Sequence, residues 1–166
     1  MKFKLPFNQG NRKTQILVVI VLALLLGAFA TTARSAESYA SFGAGSTVVR
    51  GEAPMIDLTI TYPEAGPKDA DYAIGVNFIG GSDFRGTQPN QFAWRAEVLD
   101  GYGPCDVGLG VAYLQNVDTY NGSHTNFTLS LGCRLGNWKA TIRHFSNGGT
   151  VAPNKGRDML YVSYIF

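Results

Sequence analysis

An all-β fold, a closed antiparallel barrel of eight strands with its apolar face outward, is predicted by three features of this 166-residue sequence. Beyond residue 36 it contains no long run of apolar residues at helical spacing and no internal repeat. Short segments alternate apolar and polar residues instead, separated by Gly, Pro, Asn and Asp, which is the pattern of strands and turns in a sandwich or barrel. On nearly every segment one face carries large aliphatic and aromatic residues, while the other carries Gly, Ala, Thr, Ser and scattered charges. An eight-stranded barrel has little interior room, so the bulky face belongs outside and the small, polar face inside.

The chain opens on a different pattern. Lys2, Lys4, Arg12 and Lys13 form a basic stretch without an acid, an apolar run follows from Ile16 to Leu26, and Ala28-Phe29-Ala30 offers a small-x-small cleavage site. That succession predicts a secretory signal peptide over residues 1–30, cleaved between 30 and 36, with the barrel occupying 37–166. A retained membrane anchor is the weaker alternative, because a spanning helix needs ~20 apolar residues. With the four leader cations set aside, ten basic residues face twelve acids, so the exported chain carries a charge near −2 and nothing in it asks for nucleic acid.

The strands follow in order. A looser first strand runs around Tyr39 to Gly45. In the second, Ile56, Leu58, Ile60 and Tyr62 share a face against Asp57, Thr59 and Thr61. In the third, Tyr72, Ile74, Val76 and Phe78 oppose Ala73, Gly75 and Asn77. The fourth sets Phe92, Trp94 and Val98 against Arg95 and Glu97, and the fifth sets Val107, Leu109, Val111 and Tyr113 against Asp106 and glycines. Phe127, Leu129 and Leu131 alternate with Thr128 and Ser130 in the sixth, and Trp138, Ala140 and Ile142 with Lys139, Thr141 and Arg143 in the seventh. Leu160, Val162, Tyr164 and Phe166 close the chain.

An exported chain with this inverted pattern reads as a transmembrane barrel of the outer membrane; a soluble secreted barrel with the apolar face inward is the alternative. The ending LYVSYIF also resembles the C-terminal signature of bacterial outer-membrane barrels. Both termini then lie on the periplasmic side, Gly136-Asn137 is a tight periplasmic turn, and Asn147 to Arg157 form the last extracellular loop. Pairing Val107 with Leu131 and Leu109 with Leu129 sets Cys105 opposite Cys133 near the periplasmic rim, and the exported location permits a disulfide there. Two unpaired lipid-facing thiols are the alternative.

The stretch HFSNGGTVAPNKGRD, residues 144–158, carries the chemistry. Continuing the outward set of strand seven from Trp138 through Ile142 reaches His144 and Ser146; continuing that of strand eight back from Phe166 reaches Asp158. If Trp138 faces Tyr164, then His144 faces Asp158, with Cβ atoms ~4.5–5.5 Å apart. Acid, imidazole and hydroxyl thus stand in line on the outside of the barrel, the residue set of a nucleophilic triad. The plain alternative is a group of polar residues in the aromatic rim. His124 lies in the 116–125 loop with no aligned acid, and Asn121-Gly-Ser and Asn126-Phe-Thr are coincidental sequons in a bacterial barrel. No Cys/His cluster, calcium loop or phosphate-binding glycine loop is present in the sequence, so neither a metal nor a cofactor is expected.

The same stretch resembles the lipid A 3-O-deacylases (PagL-like) of Gram-negative outer membranes. His144, Phe145, Ser146, Asn147, Gly148 and Gly149 fit the first half of that family's motif, and Pro153, Asn154, Gly156 and Asp158 the second, without a gap. The resemblance implies a serine esterase acting on the 3-O-linked acyl ester of lipid A, with lipopolysaccharide as substrate in the outer membrane. It implies Ser146 as nucleophile, His144 as general base and Asp158 as the acid that orients the imidazole. The amide of Gly149 and the side chain of Asn154 would form the oxyanion hole, and Asn147 would organise the loop. Lys155 and Arg157 flank the motif and could meet sugar phosphates, or be solvated loop charges. The family's acid is usually glutamate; aspartate is shorter by one C–C bond, ~1.5 Å, which leaves its reach open. A non-catalytic barrel (an adhesin or a structural protein) retaining the hairpin is the alternative of a different class. Monomer and homodimer both remain open.

Overall fold

The computed structural model describes residues 38–48, 53–81, 90–118, 120–152 and 154–166. The expected signal peptide, its cleavage sites and Pro153 lie outside the described residues. Eight strands form a closed antiparallel barrel in sequence order. They are β1 (Tyr39–Thr47), β2 (Pro54–Tyr62), β3 (Asp71–Ile79), β4 (Gln91–Tyr102), β5 (Cys105–Leu114), β6 (Thr125–Leu135), β7 (Trp138–Ser146) and β8 (Arg157–Ile165). Closure comes from β1 against β8, with Ser41 opposite Ile165 and Thr47 opposite Met159. Two-residue turns join β4 to β5 and β6 to β7 at one end, and longer loops join β5 to β6 and β7 to β8 at the other.

The alternation read from the sequence sets the two faces. Leu58, Leu109, Phe127, Leu129, Trp138 and Leu160 are each at least half exposed on the outside. Aromatic rings gather there in two zones. Phe78, Phe92, Trp94 and Tyr113 form a chain of ring contacts toward the loop end, and Trp138, Tyr164 and Phe166 form another at the turn end. An apolar band between two aromatic girdles is the lipid-facing surface of a transmembrane barrel.

The lumen is filled in layers, and its upper layer departs from the polar interior expected from composition. Met55, Ile79, Leu114, Phe145 and Met159 pack as a buried apolar plug at the loop end. Below it four charges meet. Arg95 contacts Asp57 at 2.6 Å and Glu97 at 3.1 Å, and Arg143 contacts Glu97 at 2.8 Å and Asp57 at 3.4 Å. Asn77 Nδ2 donates to Asp57 at 2.7 Å, and the Thr59 hydroxyl donates to the same carboxylate. Arg143 also lies over the Tyr161 ring at 5.2 Å. Gly75 leaves the room: a Cβ there would sit 2.7 Å from the Arg95 guanidinium. At the turn end Lys139 pairs with Asp106 at 2.5 Å.

Cys105 stands opposite Cys133 in the β5–β6 register, and the two sulfurs are joined in a disulfide. Alkylation of the unreduced, denatured protein should label neither cysteine, whereas labelling of both would mean that the bond does not form. The buried charge cluster gives a second expectation. Removing one partner strands an opposing charge, at a cost of about 3–5 kcal/mol, so Arg95→Met should lower the midpoint of urea unfolding in micelles markedly. A midpoint unchanged from wild type would show that the cluster does not hold the lumen together.

Candidate active site

The site is assembled on β7 and β8 where they leave the barrel wall at the loop end. Phe145, fully buried in the apolar plug, anchors β7 from inside. Its neighbours His144 and Ser146 must therefore face outward, because side chains alternate along a strand. His144 is paired directly with Asp158 across the β7–β8 ladder, and Ser146 with Phe127 across β6–β7.

His144 Nδ1 lies 2.8 Å from Asp158 Oδ1. Aspartate reaches the imidazole despite its short side chain because the two residues are direct register partners. A carboxylate can only accept, so this bond places a proton on Nδ1, and in the neutral imidazole Nε2 then carries the lone pair. Both side chains are partly exposed, at 41% and 33%. The imidazole rests on Gly156: a Cβ there would fall 2.4 Å from His144 Cε1 and 2.9 Å from Nε2, and Gly156 has φ +68°. Only glycine offers both the left-handed backbone and the flat seat.

The Ser146 hydroxyl donates to Asn154 Oδ1 at 3.1 Å and accepts the Gly148 amide at 3.2 Å. Among the described residues it makes no hydrogen bond to His144, which is two positions away on the same face. Asn154 Oδ1 also accepts the Asn147 amide at 3.1 Å, which fixes the orientation of the side-chain amide and turns Nδ2 toward Gly149. Asn147 organises the loop. Its Oδ1 accepts the Gly149 amide at 3.0 Å, its Nδ2 donates to the Val151 carbonyl at 2.6 Å, and its own carbonyl accepts the Thr150 hydroxyl at 2.8 Å. Gly148 and Gly149 follow with φ +66° and +78°.

The sequence expectation for Arg157 requires correction. Arg157 has the opposite parity to Asp158, so its side chain turns into the barrel, where it pairs with Asp118 at 2.5 Å and lies 5.2 Å over the Tyr120 ring. It is buried and cannot meet a phosphate at the surface. Lys155 is exposed on the loop. His124 stands apart from this site, stacked on Tyr113 and bonded through Nδ1 to the Leu114 carbonyl at 2.8 Å. Among the described residues no group of three or more His, Cys, Asp or Glu could hold a metal ion. The seat provided by Gly156 and the inner anchor of Phe145 were not assigned from the sequence. Parity gave a signal for Phe145; none existed for the imidazole contact.

Chemically, an acid-oriented imidazole beside a surface hydroxyl, with glycine amides and a fixed carboxamide close by, is a constellation for acyl transfer. A family model described as "Lipid A 3-O-deacylase (PagL)" matches residues 92–166, which span β4 to β8 and the whole site. Over these residues the chain is similar to that family. A solved structure described as "Crystal structure of the outer membrane enzyme PagL" shares the fold, with a TM-score of 0.56 and 18% identity over 78% of this chain and 99% of that one. A search of curated proteins finds no match.

The glycine seat can be tested on the imidazole itself. The chain has two histidines, so their ring nitrogens are separable by NMR of histidine-labelled protein in micelles. Gly156→Ala should displace the His144 ring and remove the signature of its Nδ1–H bond to Asp158, leaving His124 unchanged. An unaltered His144 spectrum would mean that the ring does not depend on the missing Cβ.

Proposed function

We propose that this chain is a metal-free esterase of the Gram-negative outer membrane that removes the 3-O-linked acyl chain of lipid A, using Ser146, His144 and Asp158. The observation that carries the reading is the contact between His144 and Asp158 on the outward face of the loop end, two residues from Ser146 on the same face. In an outer-membrane barrel the longer loops face outside, so this end meets the outer leaflet, where lipid A presents its esters. A lipid-facing triad reaches the ester without drawing the substrate out of the membrane.

In this mechanism Asp158 holds the imidazole in the Nδ1–H tautomer, so that Nε2 accepts the Ser146 proton. Rotation about the serine χ1 exchanges the bond to Asn154 for one to Nε2; catalytic hydrogen bonds often tighten only when substrate is bound. The alkoxide adds to the acyl carbonyl, and negative charge develops on the carbonyl oxygen. Asn154 Nδ2 and the Gly149 amide are the donors assigned to that oxygen. For the Gly149 amide to take part, the charged oxygen must displace Asn147 Oδ1. Collapse breaks the ester C–O bond, and the imidazolium gives its proton to the departing sugar oxygen, which leaves as a hydroxyl. Water, deprotonated by His144, then releases the fatty acid from Ser146. The family match over the site supports the choice of ester.

Mass spectrometry of lipid A from cells expressing the chain tests the reading. Loss of one hydroxyacyl chain is expected, and an unchanged profile with folded barrel in the membrane would favour the non-catalytic alternative. Ser146→Ala and His144→Ala should abolish the loss while the barrel stays heat-modifiable on gels. Asp158→Asn should cost up to ~10⁴-fold in turnover, because it permits the wrong tautomer, and Asp158→Glu should cost less because the carboxylate is kept. Full activity in Ser146→Ala would overturn the assignment of the nucleophile.

A further inference from the structure

Asp118 lies in the β5–β6 loop, outside the hairpin that carries the three reacting side chains. Its Oδ1 accepts the amides of Tyr120 and Asn121 at 2.7 and 2.8 Å, which folds the loop into a turn. Its Oδ2 accepts Gln91 Nε2 and Arg157 Nη2, each at 2.5 Å. Four donors from three elements converge on one side chain that is 1% exposed, and only a carboxylate, which accepts at both oxygens and donates at neither, satisfies them all.

The turn that Asp118 folds is pressed against the last loop. The Tyr120 carbonyl accepts the amides of Lys155 and Gly156 at 2.9 and 3.2 Å, and Asn121 forms an isolated β-bridge with Asn154. Asn121 is fully buried, and its Nδ2 reaches the Phe145 carbonyl at 3.4 Å and Asn126 Oδ1 at 2.6 Å. Residues 154, 155 and 156 therefore take their backbone position from the β5–β6 loop. Asn154 holds the Ser146 hydroxyl and Gly156 seats the imidazole, so both halves of the site are located by the same clasp.

We propose that Asp118 is a positioning residue for ester hydrolysis. It ties Arg157 at the head of β8 to the β5–β6 turn and so fixes Asn154 and Gly156 relative to Ser146 and His144. The inference rests on the esterase reading above. Asp118 touches neither the reacting atoms nor the lipid-facing surface, and its effect falls on the geometry of the transition state rather than on binding of the acyl chain.

The test uses the full chain refolded in detergent micelles, with purified lipopolysaccharide as substrate. Asp118→Asn keeps the shape and one acceptor but turns a donor toward Arg157 and Gln91. Since a displacement of about 1 Å can cost ~10²-fold, kcat should fall by roughly that factor while KM stays within about twofold. Arg157→Met removes the same tie from the other side and should reproduce the loss, which keeps the test decisive if Asp118→Asn does not fold. The double variant should lose no more than the worse single one, because both changes break one link. Lys139→Met, which removes the ion pair at the turn end, should lower stability and leave kcat unchanged. Wild-type kcat in folded Asp118→Asn and Arg157→Met, a multiplicative loss in the double variant, or an equal loss in Lys139→Met would each overturn the inference. A wild-type chain that releases no hydroxyacyl chain would overturn the esterase reading as well. Wild-type turnover with unaffected Asp118→Asn and Arg157→Met would overturn the positioning role alone.

Discussion

In hydrocarbon no water is available to backbone N–H and C=O groups, so a sheet that crosses a membrane must pair every strand on both sides and close on itself. The β1–β8 pairing meets that demand here, and closure makes the alternation of side chains absolute. Each residue is committed to lipid or lumen, and slipping one strand by a residue would send its whole apolar face inside. The outward His144, Ser146 and Asp158, the inward Arg157 and the buried Phe145 are consequences of this one constraint, read at successive positions of β7 and β8.

Eight strands leave a lumen that side chains must fill, and this one is filled by unlike layers. Two arginines and two carboxylates neutralise one another around Asp57 and Glu97, and neutral Asn77 and Thr59 take remaining hydrogen-bonding positions. Buried charges are tolerable only when so paired. The apolar plug above them has a different role. It gives Phe145 a dry, close-packed socket directly behind the outward His144 and Ser146, so β7 has a firm backing where it leaves the wall.

The site draws on two distances in sequence. His144, Ser146 and Asp158 come from a single hairpin, aligned by register, and the loop between them is folded by Asn147 and two glycines in left-handed conformations. Its outer boundary comes from the preceding hairpin, through Tyr120, Asn121 and the carboxylate of Asp118. A short local segment supplies the candidate side chains, and a second loop is bonded to that segment's backbone.

Everything governed by period-two alternation could be read from the sequence alone. The eight strands, their faces, the β7–β8 register that opposes His144 and Asp158, and the β5–β6 register that opposes Cys105 and Cys133 all follow from counting residues between apolar positions. Parity would have turned Arg157 inward too, had it been carried one residue beyond Asp158. Packing in three dimensions decided the rest. The sequence could not show that Met55, Ile79, Leu114, Phe145 and Met159 meet in one plug, because they lie on five strands and carry no periodic signal of their own. Nor could it show that the imidazole rests on Gly156, or that Asp118 reaches Arg157 across 39 positions of chain. Alternation is a local property of the backbone and is written residue by residue, whereas contacts between loops depend on where closure of the whole barrel brings their ends together.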